Sequence, residues 1–237
     1  MPIALCCSFA PLSFDYDYSG LASFMPFVDY CVFLDNGLSK KSINSINNFC
    51  KEKGVHWFTH TFSNFSDMRN RLIKLSIKIG KTLPGKDDTY CLMIDDCYSL
   101  EGTGVLYPCD QLRFNYEIED YDGSTYQSKY IKLFKANTHK YVLQTHEVLV
   151  GPPGVEAEDT TLTLRDLPDK KRTTDRARED IKMLKQDLYE YGADNFLRDH
   201  IYRYLCNSHM LLGEEDEAIK CVELSLKNIC SPMENYQ

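Results

Sequence analysis

Several stretches of this sequence set acids and other reactive side chains directly behind apolar runs. In YCLMIDDCYSLEG, Tyr90 to Gly102, the run Cys91-Leu92-Met93-Ile94 stops abruptly at Asp95 and Asp96. Buried parallel strands look like such runs, and ligands of open α/β sheets gather beyond their carboxyl ends. Carboxylates are costly there unless a cation or a bound polar group compensates them. Neighbouring strand residues point to opposite faces, so Asp95 and Asp96 serve one site only if the backbone turns at the strand end. Asp35 likewise ends the run Val28–Leu34. Its carboxylate can accept from an imide N–H or a hydroxyl, although Asp35-Asn36-Gly37 equally makes a turn without a ligand. Arg69 can stack on a base or bridge phosphate oxygens, or pair with nearby Asp67. His146 and Glu147 follow Tyr141–Leu143; an imidazole can ligate a metal or touch phosphate and a carboxylate can take a proton, or the two form a satisfied structural pair.

The elements that must position these groups read as an α/β pattern. Ile3–Phe9, Val28–Leu34, Val55–Thr61 and Tyr90–Ile94 read as strands. Ser39 suits a helix N-cap, with Ile43, Ile46 and Phe49 at helical spacing to Lys51. Phe65–Ile79 reads as a second helix carrying Met68, Leu72, Leu75 and Ile79 on one face, with Asn64 and Ser66 as capping candidates. Such alternation predicts a parallel sheet with crossover helices. Gln111–Ile118, Ser128–Lys135 and Lys140–Leu149 read as β segments with no helices between them, so they add antiparallel strands. Ala10–Gly20 and Glu101–Pro108 read as loops, and Gly151-Pro152-Pro153-Gly154 with the acidic loop behind it closes the domain. From Thr173 the pattern turns helical, with Ile181, Leu184 and Leu188 on one face, then Ile201, Leu205, Leu211 and Leu212, then Ala218, Ile219, Val222 and Leu226. The phrase Leu212 to Ile219 resembles a tetratricopeptide hairpin turn, with Gly213 closing one helix.

Composition excludes some classes. A formal charge of −8 argues against a broad nucleic-acid surface, and Lys170-Lys171-Arg172 is flanked by Asp169 and Asp175 as in a solvated connector. The ten cysteines contain no CxxC pair, which argues against zinc and for a reducing compartment, the cytoplasm. No basic region precedes the short apolar N-terminus, so a signal peptide is not expected. No stretch approaches the ~20 apolar residues of a membrane span.

Five segments, in order, resemble family 2 glycosyltransferases of the GT-A fold, in particular the branch with a tetratricopeptide-like tail: Phe33 to Ser39, Asn64 to Asn70, Ile94 to Leu100, Lys132 to Lys135, and Thr145-His146-Glu147. The resemblance covers roughly residues 3–228. It implies a GT-A (Rossmann-like) nucleotide-sugar-binding domain with a mixed sheet over residues 1–165 and a helical tail over 173–230. It also implies transfer of a sugar, with inversion, from a nucleotide-sugar donor to a hydroxyl on a glycan, lipid or protein. Asp35 and Arg69 then hold the nucleotide, Asp95 and His146 hold Mn²⁺ or Mg²⁺, Asp96 assists in donor binding, and Glu147 is the base. Glu119, Asp120 and Asp122 are rival bases, and Lys135 either orients phosphate or lies along Phe134. The family's DxD motif is altered here, because Cys97 puts a thiol where a hard cation prefers oxygen. A non-catalytic descendant, or a scaffold docking partners through the tail, is the alternative. The apolar tail faces lead us to expect a homodimer. His56, His60, His139, His200 and His209 are expected to be structural or surface residues.

Overall fold

Continuous apolar runs bury both faces of three of the first four strands, all but the one at the sheet edge. β1 (Ile3–Phe9), β2 (Tyr30–Asp35), β3 (Gly54–Thr59) and β4 (Tyr90–Met93) pair in parallel in the order β3-β2-β1-β4. Leu5, Cys7, Phe9, Cys31, Phe33, Leu92 and Ile94 share one core cluster. Ala4, Cys6, Val32, Leu34, Cys91 and Met93 belong to another, as a period of two requires. The first cluster takes in Leu21, Phe24 and Met25 of a 3-10 segment (Ser19–Phe27) and Ile46 of α1 (Lys40–Phe49). The second takes in Met68, Leu72 and Ile73 of α2 (Phe65–Gly80). Both helices begin where the sequence predicts: Ser39 Oγ accepts from the Ser42 amide at 3.1 Å, and Asn64 Oδ1 accepts from the Asp67 amide at 2.8 Å. The structure is a computed structural model that describes residues 1–9, 18–83, 88–95, 98–104, 106, 109–119, 125–152, 154, 156–166 and 174–229. Side chains at 118, 119, 126, 156, 158–160, 166 and 227–229 lie outside that description.

The remaining strands are β5 (Tyr98–Gly102), β6 (Gln111–Glu119), β7 (Thr125–Lys135), β8 (Lys140–Val142), β9 (Val148–Val150) and β10 (Glu156–Asp166). The sheet continues β4-β7-β6-β10-β5 to a total of eight strands, while β8 and β9 form a separate pair. β4–β7, β7–β6 and β10–β5 are antiparallel, and β6–β10 is parallel. This is the Rossmann-like α/β arrangement with a mixed sheet that the resemblance implies. β5 follows β4 after a few residues, yet three strands separate them in the sheet. Asp95 and Tyr98 are therefore within ~11 Å of each other, and β7, β6 and β10 must curl to bring β5 back.

Three segments depart from the expected pattern. Tyr98 to Gly102 forms a strand, because Tyr98 and Leu100 alternate into the core. The acidic stretch after Gly154 is not a loop but β10, anchored by buried Leu162 and Leu164 between threonines. Lys140–Leu149 is not one β segment: Leu143 (φ 71°) and His146 (φ 50°) take left-handed backbone that breaks it into β8 and β9. Within Ala10–Gly20, residues 10–17 lie outside the described part, and the 3-10 segment begins at Ser19.

β5 ends at a glycine for a definite reason. Gly102 has φ +117°, and a Cβ there would overlap the carbonyl oxygen of Thr161 on β10. Gly102→Ala should cost about 2–3 kcal/mol from left-handed strain and overpacking together. Urea denaturation followed by the fluorescence of Trp57, the chain's one tryptophan, would show it. A loss under about 0.5 kcal/mol would mean that the β5–β10 pairing is looser than described.

Contacts divide the chain into two compact units, Met1–Tyr141 with Leu149–Asp169, and Val142–Val148 with Lys170–Gln237. The second holds α3 (Thr174–Tyr191), α4 (Asn195–Leu211) and α5 (Glu215–Ile229). Asp194 caps α4, accepting from the Leu197 amide at 3.0 Å. Gly213 (φ +73°) ends α4 with a left-handed turn that lets the Glu214 amide reach the His209 carbonyl at 2.9 Å. The buried stripe of α3 is Ala177, Asp180, Leu184 and Asp187; of the expected Ile181, Leu184 and Leu188, Leu184 is buried and the other two are half-buried. On α5, Ala218 and Cys221 are buried, whereas Ile219, Val222 and Leu226 are exposed.

Candidate functional site

Strand alternation decides where Asp95 goes. Ile94 packs into the cluster on the α1 face, so the next residue leaves β4 on the α2 face. There α2 presents Arg69 from among Met68, Leu72 and Ile73. Arg69 Nη2 donates to Asp95 Oδ1 at 2.8 Å, and Lys132 Nζ lies 3.8 Å from Asp95 Oδ2. The side chains of Arg69 and Lys132 are 9% and 13% exposed, and that of Asp95 is 37% exposed. Burial disfavours the charged carboxylate. The Arg69 guanidinium and the Lys132 ammonium outweigh it, with hydrogen bonds from Tyr98 and Arg69, and hold Asp95 well below the usual carboxylate range.

A bulge in β7 falls at Lys132. The β6–β7 register steps from Leu112 opposite Leu133 to Arg113 opposite Ile131, which leaves Lys132 as the extra residue. Lys132 Nζ sits 4.7 Å over the Tyr98 ring and 6.0 Å from the Tyr116 ring centroid, and donates to the Tyr98 hydroxyl at 3.3 Å. The Tyr116 hydroxyl donates to the same Tyr98 oxygen at 3.0 Å. On the other side, Arg69 lies 5.4 Å from the Tyr141 ring centroid, and the Asn70 side chain clamps the Tyr141 backbone with two 2.8 Å hydrogen bonds. Both cations are held by aromatic faces as well as by the carboxylate.

Asp35 ends β2 and is engaged in its own turn. Its Oδ1 accepts from the amides of Gly37 and Leu38 at 2.8 and 2.7 Å. Asp96, Cys97, Asp120 and Asp122 lie outside the described residues, as does the side chain of Glu119. Lys135 pairs with Asp88 at 2.8 Å.

His146 and Glu147 belong to the second unit, in the loop with the two left-handed residues. Two buried aspartates of α3 grip that loop: Asp187 Oδ2 accepts from the Gln144 amide at 2.8 Å, and Asp180 Oδ1 accepts from the Thr145 hydroxyl at 3.0 Å. Arg176 joins Asp180 at 3.0 Å. The His146 ring stacks on Tyr204 with centroids 3.8 Å apart, its Nε2 lies 3.7 Å from Asp180, and its carbonyl accepts from His200 Nε2 at 2.8 Å. Burial pushes the His200 imidazole down, against the hydrogen bond to His146 that favours its charged form. His139 and His209 also have structural partners, Gln111 at 2.9 Å and Glu214 at 2.6 Å.

The described residues do not fit the Mn²⁺ or Mg²⁺ ion that the resemblance implies. Hard divalent cations want several oxygen ligands. Among the described residues no three His, Cys, Asp or Glu side chains converge as a metal site. Asp95 already has two cations beside it. A dication on that carboxylate would lie within roughly 5 Å of both. At an effective dielectric near 20 each unit-charge repulsion is then about 3 kcal/mol, doubled for a divalent ion.

Sequence reading missed Lys132, Tyr98 and Tyr116 as site residues. Alternation puts Lys132 on the face of Phe134, in the α2-side cluster, but nothing local shows that β7 lies beside β4 and Asp95.

No family model matches the chain, and no curated protein matches it. Among solved structures it is similar to S. aureus TarS, with a TM-score of 0.48 and 10% identity over 98% of this chain and 44% of that one. It is also similar to S. aureus TarS 1-349 in complex with UDP-GlcNAc, with a TM-score of 0.47 and 8% identity over 97% of this chain and 82% of that one. The chain thus spans less than half the length of the first of these. Among the described residues, no helix is long and apolar enough to cross a membrane.

Proposed function

We propose that the first unit binds a nucleotide-sugar donor beyond the carboxyl ends of β1, β2 and β4, and that the protein is a glycosyltransferase acting on a hydroxyl acceptor. The observation that carries this reading is the position of Asp95. In the order β3-β2-β1-β4 the chain winds away from β1 in one direction and then resumes on its other side. The crevice between β1 and β4 is therefore the topological switch point, where open α/β sheets bind ligands. Asp95, Arg69 and Lys132 stand together at that end of β4.

In this reading Arg69 and Lys132 supply positive charge for the donor's phosphates. Asp95 keeps the two cations in place and offers its more exposed oxygens to donor hydroxyls. Asp35 fixes the turn after β2 that borders the nucleotide. Glu147 is the candidate base for the acceptor hydroxyl, with attack from the face opposite the leaving group and hence inversion. That role is what the resemblance of Thr145-His146-Glu147 implies.

The test is a panel of UDP-, GDP-, dTDP- and CMP-sugars titrated calorimetrically into the folded protein. One donor should bind in the micromolar range and be slowly hydrolysed or transferred. Binding without turnover would move the chain to the non-catalytic alternative, and silence across the panel would remove the reading.

A further inference from the structure

We infer that Arg69 and Lys132 take the place of the divalent cation at this site, so that the donor's diphosphate is bound without Mn²⁺ or Mg²⁺. The inference rests on the nucleotide-sugar reading and specifies how its charge is met.

Its first support is the sign of the charge. Among the described side chains, two cations, Arg69 and Lys132, lie within 4 Å of the one carboxylate of Asp95. A diphosphate is drawn to such a cluster, whereas a metal ion is repelled by it. The second support is placement. Phe134 packs in the α2-side cluster, so alternation along β7 puts Lys132 on the face that Asp95 and Arg69 share, and its ammonium lies 3.8 Å from Asp95 at the end of β4. The third is preorganisation. Lys132 is held over Tyr98 and near Tyr116, and Arg69 beside Tyr141, so little side-chain freedom is left to lose when an anion arrives. The guanidinium fork can turn toward phosphate oxygens bidentately, while the lysine acts as a point charge.

The experiment titrates UDP, GDP, dTDP and CMP into the full chain, first in EDTA and then in Mn²⁺ or Mg²⁺. We expect one nucleotide to bind in EDTA, with less than about threefold change on adding either metal. Lys132→Ala should weaken that binding about 10- to 100-fold, the range for losing one charge-assisted hydrogen bond, and Lys132→Arg should recover most of it. Raising salt should weaken the wild type more than Lys132→Ala. Binding by the wild type that appears only with metal overturns the inference and leaves the nucleotide-sugar reading intact. A folded Lys132→Ala with unchanged affinity in EDTA overturns it too. No binding by folded wild type in either condition removes the reading and the inference together. The wild-type comparison of EDTA with metal needs no variant, so a misfolded substitution does not shelter the inference.

Discussion

Arg69→Met should abolish measurable nucleotide binding and also change how the protein responds to acid. The substitution keeps much of the apolar stem that packs among Met68, Leu72 and Ile73 but removes the guanidinium that donates to Asp95 at 2.8 Å. Breaking a fully buried ion pair costs about 3–5 kcal/mol, because the abandoned charge stays buried. Here Asp95 is 37% exposed and keeps Lys132 nearby, so about 2 kcal/mol is the appropriate figure. The pH dependence has a definite sign. Asp95 is held well below the usual carboxylate range by Arg69 and Lys132 acting against burial. Its contribution is therefore fully present above the unfolded value of about 3.9 and is lost as pH falls through the lower folded value. Wild type should lose stability progressively as pH falls below about 4, and Arg69→Met should lose less over the same range. Arg69→Lys should not restore binding, because an ammonium cannot reproduce the fork. Urea titrations at several pH values, read by Trp57 fluorescence, give both quantities. Equal acid sensitivity in wild type and variant would show that Asp95 and Arg69 are not coupled.

The sequence made some of this legible because the relevant signals are local. A serine and an asparagine in front of apolar-periodic stretches announce α1 and α2, and the caps at Ser39 and Asn64 form as those residue types dictate. Apolar runs ending in Asp35 and Asp95 announce β2 and β4. The rest depends on pairing across long sequence distance. Glu156 to Asp166 looks like a solvated acidic loop until Leu162 and Leu164 find the β5 and β6 neighbours that bury them. Lys132 looks like an ordinary alternating residue until β7 pairs with β4 and sets it beside Asp95. His146 and Glu147 read as the end of a strand, yet their loop is shaped by Asp180 and Asp187, more than thirty residues later on a helix whose apolar stripe gave no hint of buried acids. A sheet-edge or helix-face pattern reports what a residue's neighbours must be in general. It does not report which distant residue supplies them.

Phe33→Ala should be the most destabilising single change at the base of the candidate site. Phe33 is fully buried at the centre of an aromatic trio formed across three parallel strands. Its ring centroid lies 5.2 Å from Phe9 on β1, edge to face, and 5.2 Å from Trp57 on β3. Trp57 is itself tied to α1, its indole N–H donating to Asn47 Oδ1 at 2.8 Å. Removing the ring therefore opens a cavity shared by two strands and loosens the seat of the helix on that face. Truncating a buried phenylalanine costs about 3–5 kcal/mol, and the lost edge-to-face geometry adds to the upper end. About 4 kcal/mol is a large share of the roughly 5–15 kcal/mol that keeps a domain folded. Phe33→Leu, which fills most of the space, should cost about 1–1.5 kcal/mol. Trp57 reports on the first unit directly, which matters in a chain of two compact units where one global transition is not assured. The change also lies two residues before Asp35, whose turn hydrogen bonds to Gly37 and Leu38 continue the same strand. Nucleotide affinity in the leucine variant should consequently fall less than tenfold, while the alanine variant loses affinity together with its fold. If Phe33→Ala cost less than about 1.5 kcal/mol, the three rings would not be packed as a unit, and the rigidity ascribed to the carboxyl end of β2 would have to come from the Asp35 turn alone.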